Sequence, residues 1–119
     1  ATQRQDEGPD MRRFALMIAL LAGPVAAEDW QAMSGDEIRA ALEGRTLHYA
    51  NAWQDFRSSG RTLYNAGRDS WGYWRVQGDQ YCSQWPPSDL WSCYGMERSG
   101  ERLRFVGERD DITEAVYAD

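Results

Sequence analysis

Apolar residues recur along this chain with three different spacings, and each spacing predicts a different kind of element. Residues 14–21 form an unbroken apolar run. Between Met33 and Leu42 apolar residues return every three or four positions, as on one face of a helix, and after Gly44 they alternate with polar residues, as in strands. The pattern predicts an apolar leader, one helix and a β-rich domain.

The apolar run has the flanks of a secretory signal peptide. A basic pair at 12–13 precedes it, and small residues that suit signal peptidase end it at Ala27. The run is too short for a bilayer span, which needs roughly 20 apolar residues. We therefore expect a periplasmic or secreted protein with no stable membrane span after cleavage; an uncleaved anchor is the alternative. The expected divisions are a disordered upstream extension at 1–10, a signal peptide at 11–27 and a single β-rich domain at 28–119.

One amphipathic helix is predicted over residues 34–43. Ser34 and Glu37 have the spacing of a capping box, and Gly44 suits the position just after a helix. The residues expected on its buried face are Met33, Ile38, Ala41 and Leu42.

The chain after Gly44 predicts strands separated by tight turns that contain glycine. Turns are expected at Ser59-Gly60, Gly78-Asp79 and Ser99-Gly100, and a proline loop is expected at 86–89. The fold class is mainly β, of the α+β kind. Six to eight short strands form an antiparallel meander, as a curved sheet or a small barrel, with one N-terminal amphipathic helix.

The turn positions also predict which residues face each other. A two-residue turn at Gly78-Asp79 sets Val76 opposite Tyr81, and the turn at Ser99-Gly100 sets Met96 opposite Leu103. With Cys82 opposite Cys93, one face collects Trp74, Val76, Tyr81, Trp85, Tyr94, Met96, Leu103 and Phe105. A slip of one residue at any turn would scatter this set, so we predict that it is the core face. A disulfide between the two cysteines then lies on the opposite face.

The net charge of the predicted domain limits the classes of molecule that it can bind. Residues 28–119 contain 16 acidic residues and 10 arginines, with no lysine, for a net charge of −6. Because phosphate binding favours positive charge, nucleic acid and anionic membrane are poor partners, and we expect no nucleic-acid binding. A cationic protein fits, although an acidic surface also keeps a small protein soluble.

The face that carries the disulfide is the candidate binding surface. It holds Trp71, Tyr73, Arg75, Gln84 and Trp91. Aromatic rings beside arginine and glutamine suit stacking against a sugar or another flat small molecule. In the alternative, the helix or the first two strands cover this face, and the rings form a second core layer.

The sequence carries no motif for catalysis or for a cofactor. His48, the lone histidine, has no nucleophile near it in the pattern. Carboxylate pairs at 36–37 and 110–111 fit a helix start and a solvated turn, and Glu97 opposite Arg102 fits a surface ion pair. We predict no enzymatic activity, no cofactor and no metal.

A Gly-x-Trp strand at 72–74 precedes Cys82, an aromatic–proline loop at 85–87 and Cys93. This series resembles a group of small exported bacterial proteins of unknown function, over about residues 34–107. The resemblance implies a shared fold and assigns no functional residue. The Gly-x-Trp strand is also similar to that of calycins such as lipocalins and avidins, which implies a barrel by analogy of architecture alone. The chain is short for an eight-stranded barrel with a ligand cavity.

Together these features predict an exported, non-enzymatic binding domain whose ligand is a small molecule or a glycan at the aromatic face. The alternatives are a protein-binding module of the lysozyme-inhibitor kind and an accessory subunit of an envelope complex.

Overall fold

The computed structural model of the protein describes residues 29–118. The predicted extension at 1–10 and the predicted signal peptide at 11–27 lie outside these residues. Within them the chain forms one helix and nine strands. In chain order the elements are β1 (Gln31–Ala32), α1 (Gly35–Leu42), β2 (Arg45–His48), β3 (Trp53–Phe56), β4 (Arg61–Asn65), β5 (Asp69–Gln77), β6 (Gln80–Gln84), β7 (Trp91–Ser99), β8 (Arg102–Val106) and β9 (Ile112–Tyr117).

Strands β2 to β9 form a closed antiparallel barrel of eight strands. Each strand pairs with the next along the chain, and β9 returns to pair with β2, while β1 adds to the side of β7. The mainly β fold, the meander and the helix are confirmed, and the open choice between curved sheet and barrel resolves to a barrel. Although the chain is short for an eight-stranded barrel, the barrel closes, because most of the strands are only four to six residues long.

The seam that closes the barrel is short. It consists of two residue pairs, Leu47 with Tyr117 and His48 with Val116, and of one further hydrogen bond, from the Ala118 amide to the Thr46 carbonyl at 3.0 Å. Every other pairing around the barrel joins at least four residue pairs.

The predicted register is confirmed on both sides of β6. Val76 lies opposite Tyr81, and Cys82 lies opposite Cys93, to which it is joined by a disulfide. Such a bond is compatible with an oxidising compartment outside the cytoplasm.

The predicted register between β7 and β8 was wrong by two residues. The turn consists of Gly100 and Glu101, so Met96 faces Phe105 instead of Leu103. Because side chains alternate with a period of two, this shift leaves every residue on its predicted face. Within the predicted core set, Val76, Trp85 and Tyr94 are half-buried and the other five residues are buried.

The helix begins and ends as predicted. The Glu37 amide donates to the Ser34 hydroxyl, the Ser34 amide donates to the Glu37 carboxylate, and Gly44 follows with a φ of +76°. The predicted apolar face is buried, and it joins the core cluster beside Leu47, Phe56 and Trp74.

Helix α1 closes one end of the barrel. The Gly35 amide donates to the Asp79 carboxylate in the β5–β6 turn at 2.8 Å, and the Tyr117 hydroxyl donates to the Ala41 carbonyl at 2.8 Å. Both ends of the helix are therefore fixed to the same end of the barrel, and the core occupies the half of the barrel nearest to it. No helix within residues 29–118 has the length and apolar character needed to cross a bilayer.

Candidate functional site

The structure brings all five predicted site residues together on the outer surface of the barrel. Strand β5 alternates, so that Trp71, Tyr73 and Arg75 point outward; Tyr73 pairs with Gln84, and Gln84 pairs with Trp91. The disulfide lies on the same surface, since Cys82 pairs with Arg75. We call this surface the outer aromatic face.

No element within residues 29–118 covers the outer aromatic face, because α1 lies across the barrel end and not along its side. Trp71 and Tyr73 are 40% and 43% exposed. The guanidinium of Arg61 lies 4.6 Å from the centre of the Trp71 ring, and that of Arg75 lies 3.9 Å from the centre of the Trp91 ring. The rings are therefore partly occupied by the protein's own cations.

A second candidate site lies inside the barrel, at the end opposite α1. Side chains there, most of which point inward, leave a cavity of about 610 Å³ that is open to solvent, and the outward-pointing Trp71 also borders it. We call it the barrel cavity. Its lining residues are Tyr49, Gln54, Tyr64, Ser70, Trp71, Tyr81, Ser83, Trp85, Pro86, Tyr94, Phe105, Asp111 and Thr113.

A hydrogen-bonded group centred on Gln54 lies beside the barrel cavity. The Gln54 side-chain oxygen accepts a hydrogen bond from the Tyr49 hydroxyl at 2.6 Å. Its nitrogen donates to the Thr62 hydroxyl at 2.9 Å and to the Tyr81 hydroxyl at 3.3 Å. The Gln54 side chain is buried and uses both its donors and its acceptor, so it holds the two tyrosines in place.

Burial raises the pKa values of these tyrosines. Desolvation raises the pKa of Tyr49 far above its usual value of 10.0, with a further contribution from the nearby Tyr81. Desolvation likewise raises the pKa of Tyr81. Both hydroxyls therefore stay neutral hydrogen-bonding groups at alkaline pH values where an exposed tyrosine loses its proton.

The aromatic wall of the cavity continues from one ring to the next. Tyr81 contacts Phe105 with ring centres 5.1 Å apart, and Tyr64 contacts Trp85 at 6.1 Å. The Trp85 indole nitrogen donates to the Ser83 hydroxyl at 3.1 Å. Ring contacts and this hydrogen bond fix the wall before any ligand arrives.

Asp111 lies at the mouth of the cavity, in the turn between β8 and β9. A Cβ on Gly107 would come within 2.8 Å of the Asp111 Oδ2 atom and within 3.0 Å of Tyr94 Cε2. The absence of a side chain at Gly107 therefore lets the carboxylate approach the Tyr94 ring. Among residues 29–118, the Asp111 carboxylate has no hydrogen-bond or ion-pair partner.

The other residues considered for chemistry lie apart from this cavity. His48 is exposed at the end of β2. Glu97 pairs with Arg104 at 2.7 Å instead of with Arg102, because of the two-residue shift in register, and Arg102 pairs with Glu114. The described part of the chain contains no group of three histidine, cysteine or acidic side chains that could hold a metal ion.

The sequence indicated part of the cavity wall but not the cavity. Tyr81, Trp85, Tyr94 and Phe105 belong to the predicted core face, which is the inner face of the barrel. Tyr49, Tyr64 and Gln54 were not predicted as site residues. The available signal was the alternation of β2, β3 and β4, which turns Gln54 and Tyr64 inward and continues to Tyr49 directly after β2.

Comparisons of this chain with known protein families, with curated proteins and with solved structures give no match. The disulfide-linked barrel is consistent with a calycin-like β fold, and the resemblance to the small exported bacterial proteins stays a prediction.

Proposed function

We propose that this protein binds a small organic molecule in the barrel cavity. The observation that carries the proposal is an open cavity of about 610 Å³ in which seven of thirteen lining residues are aromatic. Ligand sites in proteins are typically of about 300–1,000 Å³, mostly apolar, with a few polar groups that orient the ligand. The cavity has these properties, and the core that packs against α1 closes its far end.

Two free hydroxyls supply polar contacts for a ligand. Tyr64 and Tyr94 line the cavity, and within residues 29–118 neither hydroxyl has a hydrogen-bond partner. The hydroxyls of Tyr49 and Tyr81, by contrast, are held by Gln54. A ligand that hydrogen-bonds to the free pair would have a defined orientation among the rings.

Ligand binding would take place in the periplasm or outside the cell. The disulfide between Cys82 and Cys93 supports that compartment, and so does the signal peptide expected from the sequence.

The test is nuclear magnetic resonance of the isotope-labelled protein with a library of soluble aromatic, heterocyclic and sugar fragments. We expect shifts for cavity residues, and a Thr113→Trp variant should weaken each hit about tenfold or more by filling the mouth. Ile112→Trp is the matched control, since Ile112 is the neighbouring residue, is 43% exposed and lies outside the cavity lining. Shifts absent from cavity residues, or equal effects of the two variants, would overturn the proposal.

The outer aromatic face is the second candidate, as a surface for a glycan. The exposure of Trp71 and Tyr73 favours it, since two rings close together on a strand can stack on sugar rings. Titration with peptidoglycan fragments tests this candidate. Binding that is lost in Tyr73→Ala but retained in Thr113→Trp would assign the ligand to the outer face, and the reverse would assign it to the cavity.

Protein partners are tested separately. The net charge of −6 favours a basic protein such as a lysozyme, which predicts inhibition that weakens as salt is added. An accessory role in an envelope complex predicts co-purification with that complex. Inactivity against a cationic lysozyme at low ionic strength would remove the inhibitor alternative.

A further inference from the structure

The barrel cavity has a single charged group, and that charge is negative. Of the thirteen residues that line it, Asp111 is the one with an acidic or basic side chain. Its carboxylate has no partner within residues 29–118. A carboxylate that is left unpaired beside an aromatic wall is free to pair with a charge on a ligand.

The aromatic rings inside the cavity also lack a cation. Outside the barrel, Trp71 is contacted by Arg57 and Arg61, and Trp91 is contacted by Arg75. Apart from Trp71, no ring that lines the cavity is contacted by an arginine of the described chain: these rings are Tyr49, Tyr64, Tyr81, Trp85, Tyr94 and Phe105. The electron-rich faces of such rings attract cations, most strongly where water is excluded.

The charged residues around the open end of the barrel add a negative electrostatic potential to that of Asp111. The turns and strand ends around the mouth carry five carboxylates and two arginines. The acidic residues are Asp69, Asp89, Glu108, Asp110 and Asp111, and the basic residues are Arg68 and Arg109. Such an excess of negative charge raises the local concentration of cations and steers them toward the opening.

We infer that the ligand of the barrel cavity is an organic cation, either a protonated amine or a quaternary ammonium compound. Its charged nitrogen lies near the Asp111 carboxylate and the Tyr94 ring, and its apolar part packs against the wall formed by Tyr64 and Trp85. The inference rests on the proposed function and narrows it to one class of ligand.

The experiment compares benzyltrimethylammonium with neopentylbenzene, the uncharged hydrocarbon in which carbon replaces nitrogen. Binding of each to the purified protein is followed by quenching of tryptophan fluorescence. We expect the cation to bind about tenfold more tightly than the hydrocarbon, because the charge outweighs the greater cost of desolvating it.

Two variants identify the group responsible. Asp111→Asn should weaken binding of the cation about tenfold and leave the hydrocarbon unaffected. Asp110→Asn is the matched control, since it removes the same charge from the same turn at a residue that does not line the cavity. Asparagine also tolerates the positive φ of residue 110, which is 66°.

Binding of the hydrocarbon as tight as that of the cation would overturn the inference and leave the proposed function standing. Equal losses in Asp111→Asn and Asp110→Asn would also overturn it, because they would indicate a diffuse field in place of a site. Failure of both probes to bind would overturn the inference too, and the fragment screen then decides separately whether the cavity binds small molecules.

Discussion

The indole ring of Trp85 lies against Gly72, where a Cβ would come within 2.5 Å of the ring atom Cε3. The glycine is on β5, and Trp85 follows directly after β6, so the ring covers a gap in the neighbouring strand. This contact holds Trp85 in the wall of the barrel cavity, beside Tyr64.

The first prediction concerns that contact. Gly72→Ala should destabilise the protein by about 1–3 kcal/mol, because the new methyl group meets both the ring and the Gln84 carbonyl at 2.6 Å. Denaturant unfolding followed by tryptophan fluorescence measures the loss. Gly95→Ala is the control, since a Cβ there meets its nearest neighbour at 3.9 Å. Equal stability of the two variants would contradict the described packing.

Gln54 is the subject of the second prediction. Gln54→Leu removes the partner of Tyr49 and Tyr81, and it should cost about 1–3 kcal/mol because polar groups remain buried without hydrogen bonds. Chemical denaturation gives the value, and Gln80→Leu at an exposed position is the comparison. If both changes had small effects, the hydrogen bonds of Gln54 would contribute little to stability.

Alkaline pH should destabilise the fold. The pKa values of Tyr49 and Tyr81 are raised by burial, so the folded state keeps two protons that unfolded tyrosines release above pH 10.0. The contribution of the two tyrosines to the free energy of unfolding is therefore fully present below pH 10.0. It falls as the pH rises further, by up to about 1.4 kcal/mol per pH unit for each tyrosine. Urea unfolding at about pH 8 and about pH 11 measures this, with tyrosinate absorbance as a second signal. Tyr49→Phe should reduce the slope; an unchanged slope would assign the effect to other groups.

The fourth prediction is for the disulfide. It joins residues 11 positions apart, so its removal in the double variant Cys82→Ala, Cys93→Ala should cost about 2–3 kcal/mol through the greater freedom of the unfolded chain. Thermal unfolding measures the difference. Wild-type protein treated with a reductant should match the variant, and a stability unaffected by either treatment would be the contrary result.

Much of the fold was predictable because local signals set it. The capping residues Ser34 and Glu37 fix the start of the helix, and the turn at Gly78-Asp79 fixes the pairing of β5 with β6. The turn between β7 and β8 was predicted at Ser99-Gly100 and lies at Gly100-Glu101, because the sequence is compatible with a tight turn at either position. The predicted faces survived because the error was an even number of residues.

Closure of the barrel was not predictable in the same way. It depends on Leu47 meeting Tyr117, about 70 residues later, and no local pattern specifies a contact of that separation. The cavity follows from closure. Alternation in the sequence predicts that Tyr64 and Tyr94 point inward, but it does not say whether the space in front of them is filled or open. The sequence pattern therefore cannot distinguish a core residue from a residue that lines a cavity.

The two residue pairs between β2 and β9 have a consequence for access. With so few hydrogen bonds to break, this seam is where we expect the ring of strands to separate at the lowest cost, well before global unfolding. Amide exchange at Leu47 and His48 would then outpace that in β5 and β6, and the circumference of the barrel would widen transiently. Such an opening would admit a ligand wider than the mouth at Asp111 through the side of the barrel.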